Sequence, residues 1–135
     1  HNVAHSFPTR RSSDLNRPFL VGEWHFGALD GGQTGAGLYR AANQVERAKA
    51  FRLYAEQAMA LPWCVGTHWF TMYDRNPLYS LMGSENANHG FYSVTHTAHA
   101  PMARAARLTH ARQYAVVSGQ KPPYEAAVDY RFPSR

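Results

Sequence analysis

The hydrophobic positions change period along the chain, and those changes mark its elements. After Pro18 the short apolar run FLVGEW, closed by a glycine and a carboxylate, predicts a buried strand over Phe19 to Trp24 with Glu23 at its exit. Asn43, followed three residues later by Glu46, has the spacing of a capping box, with Asn in place of Ser or Thr. It opens a helix running through Leu61, which Pro62 ends. In that helix Val45, Ala48, Leu53, Ala55, Ala58, Met59 and Leu61 form a broad apolar stripe, and Glu46, Lys49, Arg52 and Glu56 make a solvated face. VGTHWFTMY, from Val65 to Tyr73, is rich in β-branched and aromatic residues and predicts a second buried strand. Strand, helix, strand is the order of a βαβ unit, so the strands should pair in parallel with a right-handed crossover, giving an α/β fold.

The remaining segments are less regular. GALDGGQTGAGLYRAA places five glycines between Gly27 and Gly37 with few apolar anchors, and DRNPLYSLMGSENANHG fills Asp74 to Gly90. Both are long loops, a class that is usually functional. Phe91 to Val94 is a short strand-like piece, and Pro101 suits the first turn of a helix reaching about Val116. Beyond that, residues 118–135, with Pro122, Pro123 and Pro133, form an extended tail expected to wrap the surface. At the other end, residues 1–15 lack apolar periodicity, and FPTRRSSDL from Phe7 to Leu15 resembles the in-frame translation of a sequencing adaptor. That stretch is set apart as a non-native tail, and the natural protein is expected to continue upstream of about Asn16. The domain proper then covers residues 16–117.

Composition changes this picture little. With 44% hydrophobic, 13% aromatic and 17% charged residues among 135, the chain has a core to bury. No run approaches the roughly 18 apolar residues of a membrane-spanning helix. The net charge of +5 invites a nucleic-acid partner, but the basic residues are scattered. Only Arg104, Arg107 and Arg112 share a predicted helix, and a solvated face accounts for them as well as a phosphate-binding stripe does. The single cysteine, Cys64, excludes an internal disulfide and any zinc site built on cysteine pairs. His89, His96, His99 and His110 lack zinc-ligand spacing, no HExxH occurs, and no metal is expected.

Both long loops follow strand C-termini, the edge where parallel α/β folds assemble their sites. Glu23 lies there, flanked by Trp24, His25 and Phe26. A carboxylate in that setting is either catalytic or hydrogen-bonded to loop amides. On the second strand, period-two alternation sets Trp69 opposite His68. Trp69 is favoured as an aromatic floor to the site, the alternative being an indole packed between sheet and helix. His25 and His68 are candidates for site contacts or satisfied core histidines, and Asp74 for a site contact or for ordinary turn chemistry ahead of Arg75, Asn76 and Pro77.

Three pieces together, RPFLVGEWHFGALD, NQVERAKAFRLYAEQAMALPWCVGTHWFTMYD and GSENANHGFYSVT, resemble the C-terminal part of clan A glycoside hydrolases. The likeness is greatest to the β-agarase-like group, with family 42 β-galactosidases more distant, and it covers about Arg17 to Tyr114. It implies a partial (β/α)8 TIM barrel in which Phe19–Trp24 is the seventh strand and Val65–Tyr73 the eighth. A whole barrel takes about 250 residues, so these would be its last two βα units, truncated at the N-terminus. The resemblance makes Glu23 the nucleophile of a retaining hydrolase acting on β-galactosidic linkages. It adds Trp24, His25, His68, Trp69, Asp74, Glu85, Asn86 and Asn88 as substrate-binding candidates, although Ser84 between Gly83 and Glu85 departs from the family's GEN-like stretch. The acid/base glutamate follows the family's fourth strand, which is absent here, so the chain alone is expected to be inactive. No cofactor is implied, the partner is a galactose-containing poly- or oligosaccharide, and the family tends to be extracellular or periplasmic. The rival reading is a non-catalytic carbohydrate-binding or interaction module.

Overall fold

The computed structural model describes residues 17–76, 78 and 86–131. The adaptor-like tail and Glu85 lie outside the described residues.

Phe19–Trp24 forms β1 and Cys64–Trp69 forms β2, hydrogen-bonded in parallel as a two-stranded sheet. Phe19 faces Cys64, Leu20 faces Gly66, Val21 faces Thr67 and Trp24 faces Trp69, with irregular register on either side of Leu20 and Val21. β1 has the predicted bounds. β2 stops at Trp69 and not at Tyr73, and the chain continues irregularly through a cis Phe70–Thr71 peptide. The strand expected over Phe91 to Val94 is reduced to isolated bridges of Tyr92 with Tyr73 and with Ala98. The two described strands, their crossover helix and a second helix make a small α/β unit.

The crossover helix, α1, spans Gln44–Met59. Asn43 Oδ1 accepts from the amides of Val45 and Glu46, both at 3.0 Å, so the N-terminal cap forms as the sequence indicates. The reciprocal half of a capping box does not form, because Glu46 turns to Lys49 Nζ at 2.6 Å and to the Asp129 amide at 3.0 Å. The second helix, α2, covers Ala100–Val117 with proline in its first turn.

The core lies between the sheet and these helices. Trp24 stacks on Tyr54 at 4.4 Å and on Phe51 at 5.3 Å, and meets Trp69 edge-on at 4.8 Å. Phe26, Ala48, Ala50, Ala55, Met102 and Ala105 complete the cluster. The small alanines of α1 allow the two helices to approach closely, while the aromatic rings fill the wider gap to the sheet.

Glu56, expected on the solvated face, is fully buried. It sits where α1, α2 and the C-terminal segment meet. Arg52 Nη2 and the Thr109 hydroxyl donate to its Oε1 at 3.0 and 3.3 Å, and the Tyr124 amide donates to Oε2 at 2.9 Å. Arg112 Nε lies 3.3 Å from Oε2, at ion-pair distance but outside hydrogen-bond alignment. Arg52 also covers the Tyr124 ring at 4.0 Å. From there the segment runs back along α1, where the Ala42 amide donates to Asp129 O and the Arg131 amide to Arg40 O. The C-terminal residues thus brace the loop after β1.

Removing the Glu56 carboxylate would leave the Arg52 guanidinium, the Thr109 hydroxyl and the Tyr124 amide without their shared acceptor, and Arg112 without its ion-pair partner. Glu56→Ala should cost roughly 3 kcal/mol in urea unfolding, the range for breaking a buried ion pair. Glu46→Ala, at a partly exposed pair with Lys49, should cost less than about 1 kcal/mol.

Candidate active site

Because β1 and β2 run parallel, the loops that leave them emerge at the same edge of the sheet. Backbone hydrogen bonds join those loops. The amides of Thr34 and Gly35 donate to Asn86 O at 3.1 and 2.8 Å, and the Asn88 amide donates to Gly35 O at 2.9 Å. The glycine-rich segment also closes on itself through Gly27 N to Tyr39 O and Ala41 N to Gly27 O. A Cβ on Gly27 would collide with the Ala36 backbone, which is why this crossing takes glycine.

Three buried polar side chains hold the crossing in place. Arg47, fully buried on α1, donates from Nε to Phe26 O and from Nη2 to Gly90 O, each at 2.7 Å. It therefore bonds the loop after β1 and the loop after β2 at once, with its guanidinium 5.6 Å from the Trp69 ring centroid. Burial lowers its pKa to about 10, opposed by the charges of Asp74 and Asp30, so it remains a cation at neutral pH. Asp74 accepts at Oδ1 from Asn88 Nδ2 at 3.0 Å and from the Gly90 amide at 2.8 Å. Its Oδ2 accepts from Gln33 Nε2 at 2.8 Å and faces His99 Nε2 at 2.8 Å. The His99 proton therefore sits on Nε2, aimed at the carboxylate. Asn88 Oδ1 takes the Ala28 amide at 3.0 Å and Gln44 Nε2 at 2.8 Å.

Asp74 and Asn88, candidates for sugar binding, each have two partners within the protein on every side-chain oxygen. They tie loops together. Trp24 and Trp69 are likewise built into the core. Trp69, favoured as an aromatic floor, packs edge-on against Trp24, Phe51 and Phe91 and donates from Nε1 to His89 O at 2.9 Å. The strand's alternation turns it to the helices and leaves His68 exposed.

Glu23, by contrast, is exposed at the C-terminal end of β1, one residue before the buried Trp24. His25, half-buried, accepts at Nε2 from the Leu38 amide at 3.2 Å. Asn86 joins the loops through its backbone carbonyl. Of the predicted group, then, Glu23, His25, His68 and Asn86 keep side chains outside the core and the buried network.

Sequence reasoning passed over Arg47 and His89. The one cue to Arg47 was its place one turn before Phe51, on a face outside the stripe read from the sequence. His89 carried no such signal. It is 5% exposed, lies 4.3 Å from the His25 ring and 5.7 Å from Phe70, and neither of its ring nitrogens has a hydrogen-bond partner. Burial first, then the charges of His25, Arg75 and Arg47, lower its pKa to about 4. Among the described residues no group of three or more His, Cys, Asp or Glu is placed to hold a metal ion, and no helix is long and apolar enough to cross a membrane.

No protein-family model matches the chain. Beta-agarase B of Vibrio sp. strain JT0107 is 37% identical over 95 residues, which is 70% of this chain and 10% of that protein. Beta-agarase A of the same strain is 36% identical over 100 residues, 74% of this chain and 10% of that protein. This chain thus spans about one-tenth of the length of these curated relatives. Among solved structures, an agarase superposes with a TM-score of 0.77 at 34% identity, covering 82% of this chain and 17% of that one. An exo-beta-agarase superposes with a TM-score of 0.74 at 34% identity, covering 78% and 14%. The chain is homologous to a segment of beta-agarases, which are glycoside hydrolases.

The depressed pKa of His89 sets the sign of a pH effect. The unfolded chain takes up this proton near pH 6.5 and the folded chain only near pH 4. Stability from this group is complete above about pH 6.5 and is lost as pH falls towards 4. The melting temperature should fall across that window, and His89→Phe should flatten the fall; equal slopes in both proteins would refute the assignment.

Proposed function

We propose that this chain is the C-terminal part of the catalytic (β/α)8 barrel of a retaining glycoside hydrolase that cleaves β-galactosidic linkages in agarose-type polysaccharide. Glu23 is the nucleophile. The observation that carries this reading is the position of Glu23: an exposed carboxylate at the C-terminal edge of a parallel strand, beside two loops pinned together by buried polar groups. The homology to agarases supplies the substrate class.

In this mechanism a Glu23 oxygen attacks the anomeric carbon, and a second carboxyl group protonates the departing glycosidic oxygen. A covalent glycosyl-enzyme forms with inversion. Water, deprotonated by that second group, then displaces Glu23 with a second inversion, so the anomeric configuration is retained. The two carboxyl groups must stand about 5–5.5 Å apart. In this proposal the partner carboxyl comes from a barrel strand beyond these 135 residues, and the chain alone is inactive. The role of the buried network is positional: Arg47 and Asp74 fix the two loops so that the edge bearing Glu23 keeps one geometry.

The test is Glu23→Gln in the longer enzyme that contains this segment. Turnover of agarose oligosaccharides should drop by at least about a thousandfold, with unfolding little changed, because the side chain is exposed. Full turnover in the variant refutes the nucleophile assignment. Binding of the oligosaccharide with no hydrolysis by the parent enzyme points to the carbohydrate-binding reading.

A further inference from the structure

The residue that the proposed mechanism leaves unused is His89, and its setting is unusual. It is 5% exposed, and both ring nitrogens lack a partner. Its neighbour Asn88 has both side-chain atoms bonded within the protein. A buried polar group left unpaired beside so fully bonded a neighbour calls for a specific explanation.

The geometry around Gly37 indicates one. A Cβ built there would fall on His25 Nε2 and would lie 2.6 Å from His89 Nε2. The Nε2 atoms of two imidazoles, one from each loop, thus converge on one point beside a residue that has no side chain. At that point the Leu38 amide already donates to His25 Nε2. The turn offering this donor has Gly37 at φ +71° and Leu38 84% exposed, so it buries little of its own surface. His89 is fixed from behind, its carbonyl accepting from Trp69 Nε1 at 2.9 Å and from the Thr71 amide at 3.3 Å.

We propose that His25 and His89 form a hydroxyl-binding subsite for an uncharged sugar ring, with the Gly37–Leu38 turn as its displaceable cover. The inference rests on the glycosidase reading above. His25 accepts at Nε2, so a neutral His25 carries its proton on Nδ1. His89 is held neutral by burial first, then by His25, Arg75 and Arg47, with Asp74 acting in the opposite sense. A neutral imidazole has one donor and one acceptor, and so matches a hydroxyl and not an anion. Phe70, 5.7 Å from His89 and 6.1 Å from His25, supplies the apolar wall that a sugar face requires. His25 follows Glu23 by two residues, which sets the subsite next to the proposed nucleophile.

The experiment is a calorimetric and NMR titration of the longer enzyme that contains this segment with neoagarotetraose, with hydrolysis followed in parallel. The native enzyme should bind and shift the ring C–H resonances of His25 and His89. His89→Phe should weaken binding at least tenfold with the melting temperature unchanged or raised, since it removes the unpaired nitrogens. His89→Gln, which keeps a donor and an acceptor, should restore part of the affinity. Unchanged affinity in His89→Phe overturns the subsite, as does absence of binding by the native enzyme. Glu23→Gln separates the two ideas. If turnover survives that change while binding still depends on His89, the nucleophile assignment fails and the subsite stands. If turnover is lost while His89→Phe binds normally, the subsite alone fails.

Discussion

An irregular loop can be buried only when its peptide groups find partners, and at the edge of this sheet Arg47 meets that requirement. One guanidinium, held on a helix, donates to the carbonyl of Phe26 after β1 and to that of Gly90 after β2. Removing a cation from water is expensive, and burial does lower its pKa, but the charge of Asp74 offsets part of that cost. Asp74 in turn gathers Asn88, Gly90, Gln33 and His99. The loops therefore have one arrangement relative to each other, set by directional bonds and not by apolar packing.

A second buried charge organises the other end of the molecule. Glu56 joins α1 and α2 and fixes the amide of Tyr124, so the C-terminal segment can run back to the backbone at Arg40 and Ala42. Those residues lead from the glycine-rich loop into α1. The two polar centres thus brace that loop at both ends, while the aromatic stack of Trp24, Tyr54 and Phe51 anchors the strand from which it departs. Exposed Glu23 and the His25–His89 pair lie on the part of the structure these contacts hold.

The sequence was most legible where a local rule suffices. β1 could be bounded from an apolar run closed by a carboxylate, and α1 from an asparagine cap and a following proline. α2 followed from a proline at its first turn. The parallel pairing followed from the βαβ order. Phe91 to Val94 misled because only Phe91 packs on the core, while Tyr92 and Val94 are exposed and pairing is limited to the bridges of Tyr92. Within the site, Glu23 was legible because a carboxylate ending an apolar strand breaks the local pattern. Arg47 was not legible, because an arginine among helix-exposed charges draws no notice.

The chain by itself determined its α/β order, the edge at which its two long loops emerge, and its likeness to a glycosidase segment, because each depends on spacing along the sequence. The tertiary structure decided which polar residues are free for chemistry. Asp74, Asn88 and Glu56 resemble surface residues in the sequence, but distant partners bury and saturate them. His89 resembles any loop histidine, but the fold encloses it and leaves its ring unpaired. Residue type fixes which bonds a side chain can make, whereas partners up to 83 positions away determine which of those bonds are already made.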